Sequence, residues 1–348
     1  MTFAKPYSKE HPEEIAIRDP DKALTWADVD DVLNRCANGL QAMDLGPEIR
    51  IAVFAENYVE TALANLGGLV AGTSVVPVNF HLTAEEVARI KGCFTAPDYQ
   101  SADTAALDAK LAEDKAFSRW FHTNTRAHKQ AGYRAVTLTL KRTGRVPGDI
   151  SDEQLEAVAD LADQYSFGEL RNSHQQNMVL SDVAANDLYD LWKALDALGF
   201  ATPNLGLLTD IVACPGGDLC ALANAKSIPI AESIQRRFDD VDYVHDLGPL
   251  DLNISGCMNA CGHHHIGHIG ILGVDKKGKE FYQVTLGGRG DKLSRVGEKM
   301  GPSFESEEIT DVVEKIIKLY VEKRLENEPF IDTYERIGMD PFKERIYG

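Results

Sequence analysis

The chain has 348 residues, 44% hydrophobic and 26% charged, an ordinary globular balance with room for two or three domains. A formal net charge of −18 argues against nucleic acid or a membrane surface as a partner, because both are anionic. An anionic substrate would need a local basic pocket to overcome that field. No apolar run approaches the roughly 18–20 residues that span a bilayer, and no basic n-region followed by an apolar h-region opens the chain. A cytoplasmic location is therefore expected.

Residues 1–96 read as alternating helices and strands. Thr25 caps an amphipathic run with Val29, Leu33, Ala37 and Leu40 on one face, stopped by Gly46-Pro47. A strand (Arg50 to Ala55), a helix (Tyr58 to Ala71, ended by Gly72) and a second strand (Ser74 to Val78) follow. Thr83-Ala84-Glu85-Glu86 is a capping-box start for one more helix. Strand, helix and strand at this spacing predict a βαβ unit with parallel strands. The phrases I-A-I-R-D-P-D-K-A-L-T-W-A-D-V-D, R-I-A-V-F-A-E-N and A-G-T-S-V-V-P-V-N resemble the N-terminal edge of the adenylate-forming acyl-CoA synthetases. The likeness stops before that family's phosphate loop, and nothing in 1–96 supplies a phosphate cradle, so this fragment is expected to be scaffold.

Residues 97–116 turn small and polar and are expected to be a linker that ends in a short helix. Beyond them, Tyr133 to Leu140 alternates like a strand with one buried face. A helix starts at Ser151 and runs through Val158, Leu161 and Ala162. Glu169 to Arg171 and Gln175 to Leu180 predict a further strand or hairpin arm, Asp187 to Leu198 a helix ended by Gly199, and Glu305 to Leu325 a long helix. The tail from Phe330 keeps enough aromatics to pack on the body. This mixture indicates an α+β module.

Four of the six cysteines fall in A-C-P-G-G-D-L-C (Ala213 to Cys220) and S-G-C-M-N-A-C-G-H-H-H (Ser255 to His265). Cys36 and Cys93 lie outside, in apolar helical patterns, and are expected to be packing residues. A thiol cluster in a reducing compartment points to metal or redox chemistry rather than disulfides. Thiolates select zinc, copper(I) or iron–sulfur clusters. Zinc sites usually space paired ligands by two to four residues, which Cys214-x5-Cys220 exceeds. Four-iron cubanes accept more varied spacing beside glycine or proline, here Pro215, Gly216, Gly217, Gly256 and Gly262. Spacing alone favours a cubane and leaves zinc and structural thiols open.

Cys-x5-Cys followed by Cys-x3-Cys resembles the signature of the nitrite and sulfite reductases. So do F-H-T-N-T-R-A-H-K-Q-A-G-Y, Y-S-F-G-E-L-R-N-S-H-Q-Q-N, L-L-T-D-I-V-A-C-P-G-G-D-L-C and I-S-G-C-M-N-A-C-G-H-H-H-I-G-H-I-G-I-L-G, from Phe117 onward. The resemblance implies a ferredoxin-like half-domain over 117–182 and an α/β domain binding sirohaem and a 4Fe-4S cluster over 183–348. It further implies that Cys214, Cys220, Cys257 and Cys261 hold the cubane, with Cys261 bridging to the sirohaem iron. The implied reaction is multi-electron reduction of sulfite or nitrite, with electrons from a donor protein or flavoprotein.

Amides around Gly216-Gly217 and Asn259-Ala260 are expected to donate to the sulfurs. Asn259 is either a cofactor contact or a turn residue that tolerates a left-handed conformation. Gln176, placed on the strand from Gln175, is either a contact to a macrocycle carboxylate or an ordinary polar strand residue. His263, His264 and His265 cannot all ligate one ion, since consecutive residues point in different directions; packing near the cofactor competes with one of them handling a proton. His268 is expected to pack. Arg126, His128 and Lys129 form a small basic patch, either solvated or steering an anion. The family's full enzymes carry a first half that grips the anion; an acyl-CoA synthetase-like fragment stands in its place. The cluster ligands are therefore expected more firmly than catalysis, with a non-catalytic cluster-binding chain as the alternative and a second chain as a partner that could supply the missing half.

Overall fold

The computed structural model describes residues 4–43, 50–54, 58–71, 74–78, 83, 85, 86, 97–100, 104–291 and 293–348. They fall into two compact units, Met1–Pro97 and Asp98–Gly348. Among the described residues no helix is long and apolar enough to cross a membrane.

The first unit contains α1 (Lys5–Glu10), β1 (Ile15–Arg18), β2 (Ala23–Thr25), α2 (Trp26–Ala42), β3 (Arg50–Phe54), α3 (Val59–Val70) and β4 (Ser74–Val78). Thr25 and Asp28 form a reciprocal capping box, which starts α2 where the apolar stripe begins. Val29 and Leu33 of that stripe pack with Val59 and Leu63 of α3. Strands β3 and β4 pair in parallel from Arg50 opposite Ser74 to Phe54 opposite Val78, with α3 as the crossover between them. Cys36 is half-buried, and a Cβ on Gly67 would come within 2.5 Å of its sulfur, so this thiol sits in a close helix crossing. The capping box at Thr83 is present: Thr83 N–H donates to Glu86 Oε2 (2.7 Å) and Glu86 N–H to Thr83 Oγ1 (3.3 Å). The rest of that expected helix, the Gly46-Pro47 stop, Gly72 and Cys93 lie outside the described residues.

The second unit opens with α4 (Ala105–Glu113), α5 (Lys115–Asn124), β5 (Thr125–Ala127), β6 (Tyr133–Leu138), α6 (Asp152–Tyr165), β7 (Leu170–Asn172), β8 (Met178–Ala184) and α7 (Leu188–Leu198). Its sheet is antiparallel in the order β5-β6-β8-β7, the ferredoxin-like module. Ser151 and Gln154 box the start of α6, and Gly199, at φ 83°, closes α7 in the left-handed conformation that favours glycine. The segment 97–116, expected as a linker ending in a short helix, carries α4. Leu107 of α4 is buried with Phe117, Trp120, Leu188 and Leu191, so this stretch belongs to the module's core. The strand expected from Gln175 begins only at Met178, because Gln176 takes a left-handed φ of 58° that no strand accommodates.

A second sheet follows, built from β9 (Val212–Ala213), β10 (Leu252–Ser255), β11 (Ile269–Lys276), β12 (Lys279–Leu286) and β13 (Glu298–Lys299). Its order is β13-β12-β11-β10-β9, with β9, β10 and β11 parallel and the remainder antiparallel. Between β9 and β10 lie α8 (Ile228–Arg237) and α9 (Val241–Leu247); α10 (Ile309–Lys323), α11 (Phe330–Ile337) and α12 (Asp340–Tyr347) close the chain. Ile309, Val313, Ile316 and Ile317 of α10 are fully buried, with Phe330 and Phe342 of the tail in the same core. This α+β arrangement, preceded by the parallel βαβ fragment, is the predicted fold class.

The two sheets of the second unit meet through a buried polar junction. Lys141, directly after β6, has no exposed surface; its Nζ donates to Gln175 O (2.8 Å) and lies 3.4 Å from Asp210 Oδ1. Asp210 also accepts from Asn177 Nδ2 (3.0 Å) and the Gly206 N–H (2.9 Å). Burial pushes the Lys141 amine down from its ordinary value, and Asp210 pulls it back toward the charged form. Removing one partner of a buried pair strands the other. Lys141→Ala is therefore expected to cost about 3–5 kcal/mol in urea unfolding, and pairing Lys141→Met with Asp210→Asn to cost less.

Candidate functional site

Strands β9 and β10 run parallel with Ala213 opposite Ile254, so the chains leaving their C-terminal ends emerge side by side. Cys214 directly follows β9, and Cys257 stands two residues past β10. Ligand loops gather at such strand ends in open α/β sheets. The loops are interlocked. Cys214 N–H donates to Ile254 O (3.1 Å), Asn224 and Ala225 N–H both donate to Gly256 O (2.9 and 3.0 Å), and Gly217 N–H donates to Ala225 O (2.9 Å). A Cβ on Gly256 would lie 2.8 Å from Gly216 Cα, and one on Gly262 2.0 Å from Ile254 O. Glycine is required at both close approaches.

The structure thus brings the two cysteine pairs onto adjacent loops. Cys214 and Cys257 are buried, Cys220 is half-buried and Cys261 is exposed. Among the described residues no three His, Cys, Asp or Glu side chains converge on one ion position. The observed donor to sulfur is Gly256, whose N–H reaches Cys214 Sγ at 3.0 Å, with Ser227 Oγ 3.5 Å from the same atom. The Gly217 and Ala260 amides, expected in that role, are engaged by Ala225 O and Cys257 O. Asn259 is an exposed turn residue, and the left-handed conformation falls on its neighbour Ala260, at φ 56°.

Gln176 does not point to an open cofactor position. Its Nε2 donates to Ala213 O (2.7 Å), and its Oε1 accepts from Ala213 N–H (3.0 Å), so both ends of the amide are held by the residue before Cys214. The amide-rich turn S-H-Q-Q-N is the sequence signal for this contact, but nothing in it names Ala213. Arg126 lies on β5 of the other sheet, and His128 follows that strand. Arg126 Nη1 donates to Thr123 O and Thr125 O, and His128 Nδ1 accepts from Gln130 N–H while its Nε2 lies 3.4 Å from Asp182.

The three consecutive histidines differ in exposure, but the His264 and His265 rings stay together, with centroids 3.9 Å apart. His263 is exposed at φ 53°, His264 is buried and His265 is exposed. His268 packs on Phe330 and accepts from Asp251 N–H at 3.1 Å. His264 Nδ1 is buried without a hydrogen-bond partner. Burial, and then the neighbouring His265, push His264 from 6.5 down to about 4. The unfolded chain therefore takes up a proton at His264 that the folded chain refuses. Stability from this group is intact above about pH 6.5 and is lost as the pH falls to about 4, by on the order of 2–3 kcal/mol. His264→Gln should flatten that window when urea midpoints of the metal-free chain are compared across it.

Comparison with known proteins bears on the same residues. Residues 207–347 match the nitrite and sulphite reductase 4Fe-4S domain, residues 126–198 the nitrite/sulfite reductase ferredoxin-like half domain, and residues 5–93 an AMP-binding enzyme model. Sulfite reductase (ferredoxin) 1 of Mycolicibacterium paratuberculosis is 30% identical over 211 residues, 57% of this chain and 38% of that protein. A ferredoxin–nitrite reductase of Synechococcus elongatus is 29% identical over 198 residues, 54% of this chain and 36% of that protein. The chain thus spans less than two fifths of these relatives. The solved structure of the NirA protein of Mycobacterium tuberculosis aligns with a TM-score of 0.52 at 29% identity, over 64% of this chain and 41% of that one. Behind an AMP-binding segment, then, residues 126–198 and 207–347 are the ferredoxin-like half domain and the 4Fe-4S domain of the nitrite and sulphite reductases, oxidoreductases whose cofactors are a 4Fe-4S cluster and sirohaem.

Proposed function

We propose that Cys214, Cys220, Cys257 and Cys261 hold the 4Fe-4S cluster, that Cys261 bridges it to the sirohaem iron, and that the site serves the reduction of sulfite or nitrite. The observation that carries this reading is the pairing of β9 with β10, from whose C-terminal ends both cysteine loops leave side by side. The donor set fits the cluster: four thiols on two glycine-tight loops, one of them already accepting an N–H from Gly256. With both groups bound, the site would supply electrons one at a time, as the six-electron reduction of sulfite or nitrite requires. Exposed Cys261 is the thiol free to face a second group, while buried Cys214 and Cys257 face inward. The Gly256 N–H and the Ser227 hydroxyl stabilise negative charge on Cys214 and so raise the potential of the cluster. In this reading Asn259, exposed between the last two ligands, contacts the macrocycle.

The anion-gripping half comes from a second chain in this reading, and electrons come from a ferredoxin or flavoprotein donor. One observation supports a cover over the cysteine loops. Leu219, Leu222 and Met258, on the cysteine loops, are 81%, 74% and 81% exposed, an apolar rim that solvent would not favour.

The test is iron, acid-labile sulfide and sirohaem analysis, with a visible spectrum, of chain produced where sirohaem is available. Four irons beyond the haem iron are expected, with a cluster spectrum lost in Cys214→Ser and Cys257→Ser. Cys261→Ser should weaken sirohaem retention most. Colourless protein would sink the reading. The loaded chain alone is expected to turn over sulfite or nitrite at under a hundredth of the rate of a complete reductase measured beside it; comparable turnover would remove the need for a second chain.

A further inference from the structure

Ala213 lies on the outer edge of its sheet, because β9 has β10 on one side and, among the described residues, no strand on the other. In a parallel ladder alternate residues face opposite neighbours. Cys214 N–H faces β10, where it meets Ile254 O, so the N–H and C=O of Ala213 face away from the sheet. Ala213 is only 5% exposed, so water does not serve those groups. The Gln176 amide serves both, donating to Ala213 O at 2.7 Å and accepting from Ala213 N–H at 3.0 Å. One side chain stands in for a neighbouring strand.

The turn that presents Gln176 is itself held from every side. Ser173 N–H donates to Asn177 O (2.8 Å), and Gln176 N–H donates to Ser173 O (3.1 Å). Lys141 Nζ holds Gln175 O (2.8 Å), and Asn177 joins Leu140 N–H to Asp210, with 3.0 Å at each contact. A Cβ on Gly148 would lie 3.1 Å from Gln176 Cβ, so the side chain is backed by main chain. So rigid a setting for an amide at a left-handed φ goes beyond what a surface turn needs.

We infer that Gln176 is a positioning residue for Cys214: it fixes the peptide before this ligand and so sets the alignment of the Cys214 sulfur with the Gly256 N–H. The inference rests on the cluster reading above and adds that the ferredoxin-like module tunes one corner of the cluster. Without the amide, Ala213 keeps two buried, unpaired polar groups and the end of β9 frays. Cys214 then loses its fixed hydrogen bond, and the cluster becomes harder to reduce and easier to strip.

The test uses the full chain with Gln176→Leu, which keeps bulk and loses both hydrogen bonds. Gln175→Leu is the control, since that residue contributes its carbonyl. Gln176→Glu, which retains the acceptor for Ala213 N–H, replaces the leucine variant if that one does not fold. Deuterium exchange of a peptide covering 212–216 in the metal-free chain should be about tenfold faster in Gln176→Leu than in wild type or Gln175→Leu. In cluster-loaded protein, iron release to a ferrous chelator should also quicken about tenfold. The reduction midpoint should move to more negative potential in Gln176→Leu and stay at the wild-type value in Gln175→Leu. Exchange and iron release both within twofold of wild type would overturn the inference. Wild-type chain that takes up no iron would defeat the cluster reading instead, and exchange at 212–216 would still decide whether Gln176 holds the peptide.

Discussion

The parallel pairing of β9 with β10 is the constraint on which the rest depends. It is short, Val212 and Ala213 against Asn253 and Ile254, yet it sets where both cysteine loops begin. Hydrogen bonding in a parallel pair fixes the relative shift of the chains, and a slip of one residue would turn Cys214 to the other face. The loops then lock the register from outside, since Gly256 O accepts two N–H groups from the first loop and Gly256 N–H reaches the first thiol. The glycines follow from this: main chain is packed against main chain where any side chain would collide.

So brief a pairing would be weak alone, and the protein surrounds it with burial. On one side is the aliphatic core between the sheet and α8 and α10, with Ile230, Ile234, Ile254, Ile271 and Ile316 almost wholly covered. On the other is the polar junction around Lys141, Asp210 and Asn177, whose groups are fully buried or nearly so. The first supplies stability through area removed from water. The second supplies direction, because each hydrogen bond admits only a narrow range of geometries. A chain of net charge −18 thereby keeps one amine, that of Lys141, out of solvent and close to the turn that touches β9.

Much of this could be read from the residues. Elements with both a period and a cap were plain: Thr25 and Ser151 start helices, Gly199 ends one, and Val29, Leu33 and Ala37 face inward. The parallel βαβ pair followed from spacing, and the cysteine pattern led to the domain that comparison also finds. Gln176 was harder. A run of Gln-Gln-Asn before Met-Val-Leu looks like the start of a strand, and a left-handed φ at a glutamine has no local signal. Its partner Ala213 is 37 residues away, so the contact is tertiary in origin. The strands β10 and β11 are hard to read locally, because L-N-I-S is buried on both faces and shows no alternation, while β11 carries glycines that weaken strand propensity. The Lys277-Gly278 reversal, with both φ values positive, is the local sign that β11 and β12 form a hairpin.

The Gln176 contact with Ala213 also bears on self-association. An edge strand with free N–H and C=O groups is a template on which another chain can add a strand, the first step in edge-to-edge aggregation. At Ala213 both groups are occupied by a side chain that cannot be extended into a further strand. Sheet growth is blocked at the point where the cysteine loops begin, so the edge that presents the thiols is also closed to self-association through its backbone.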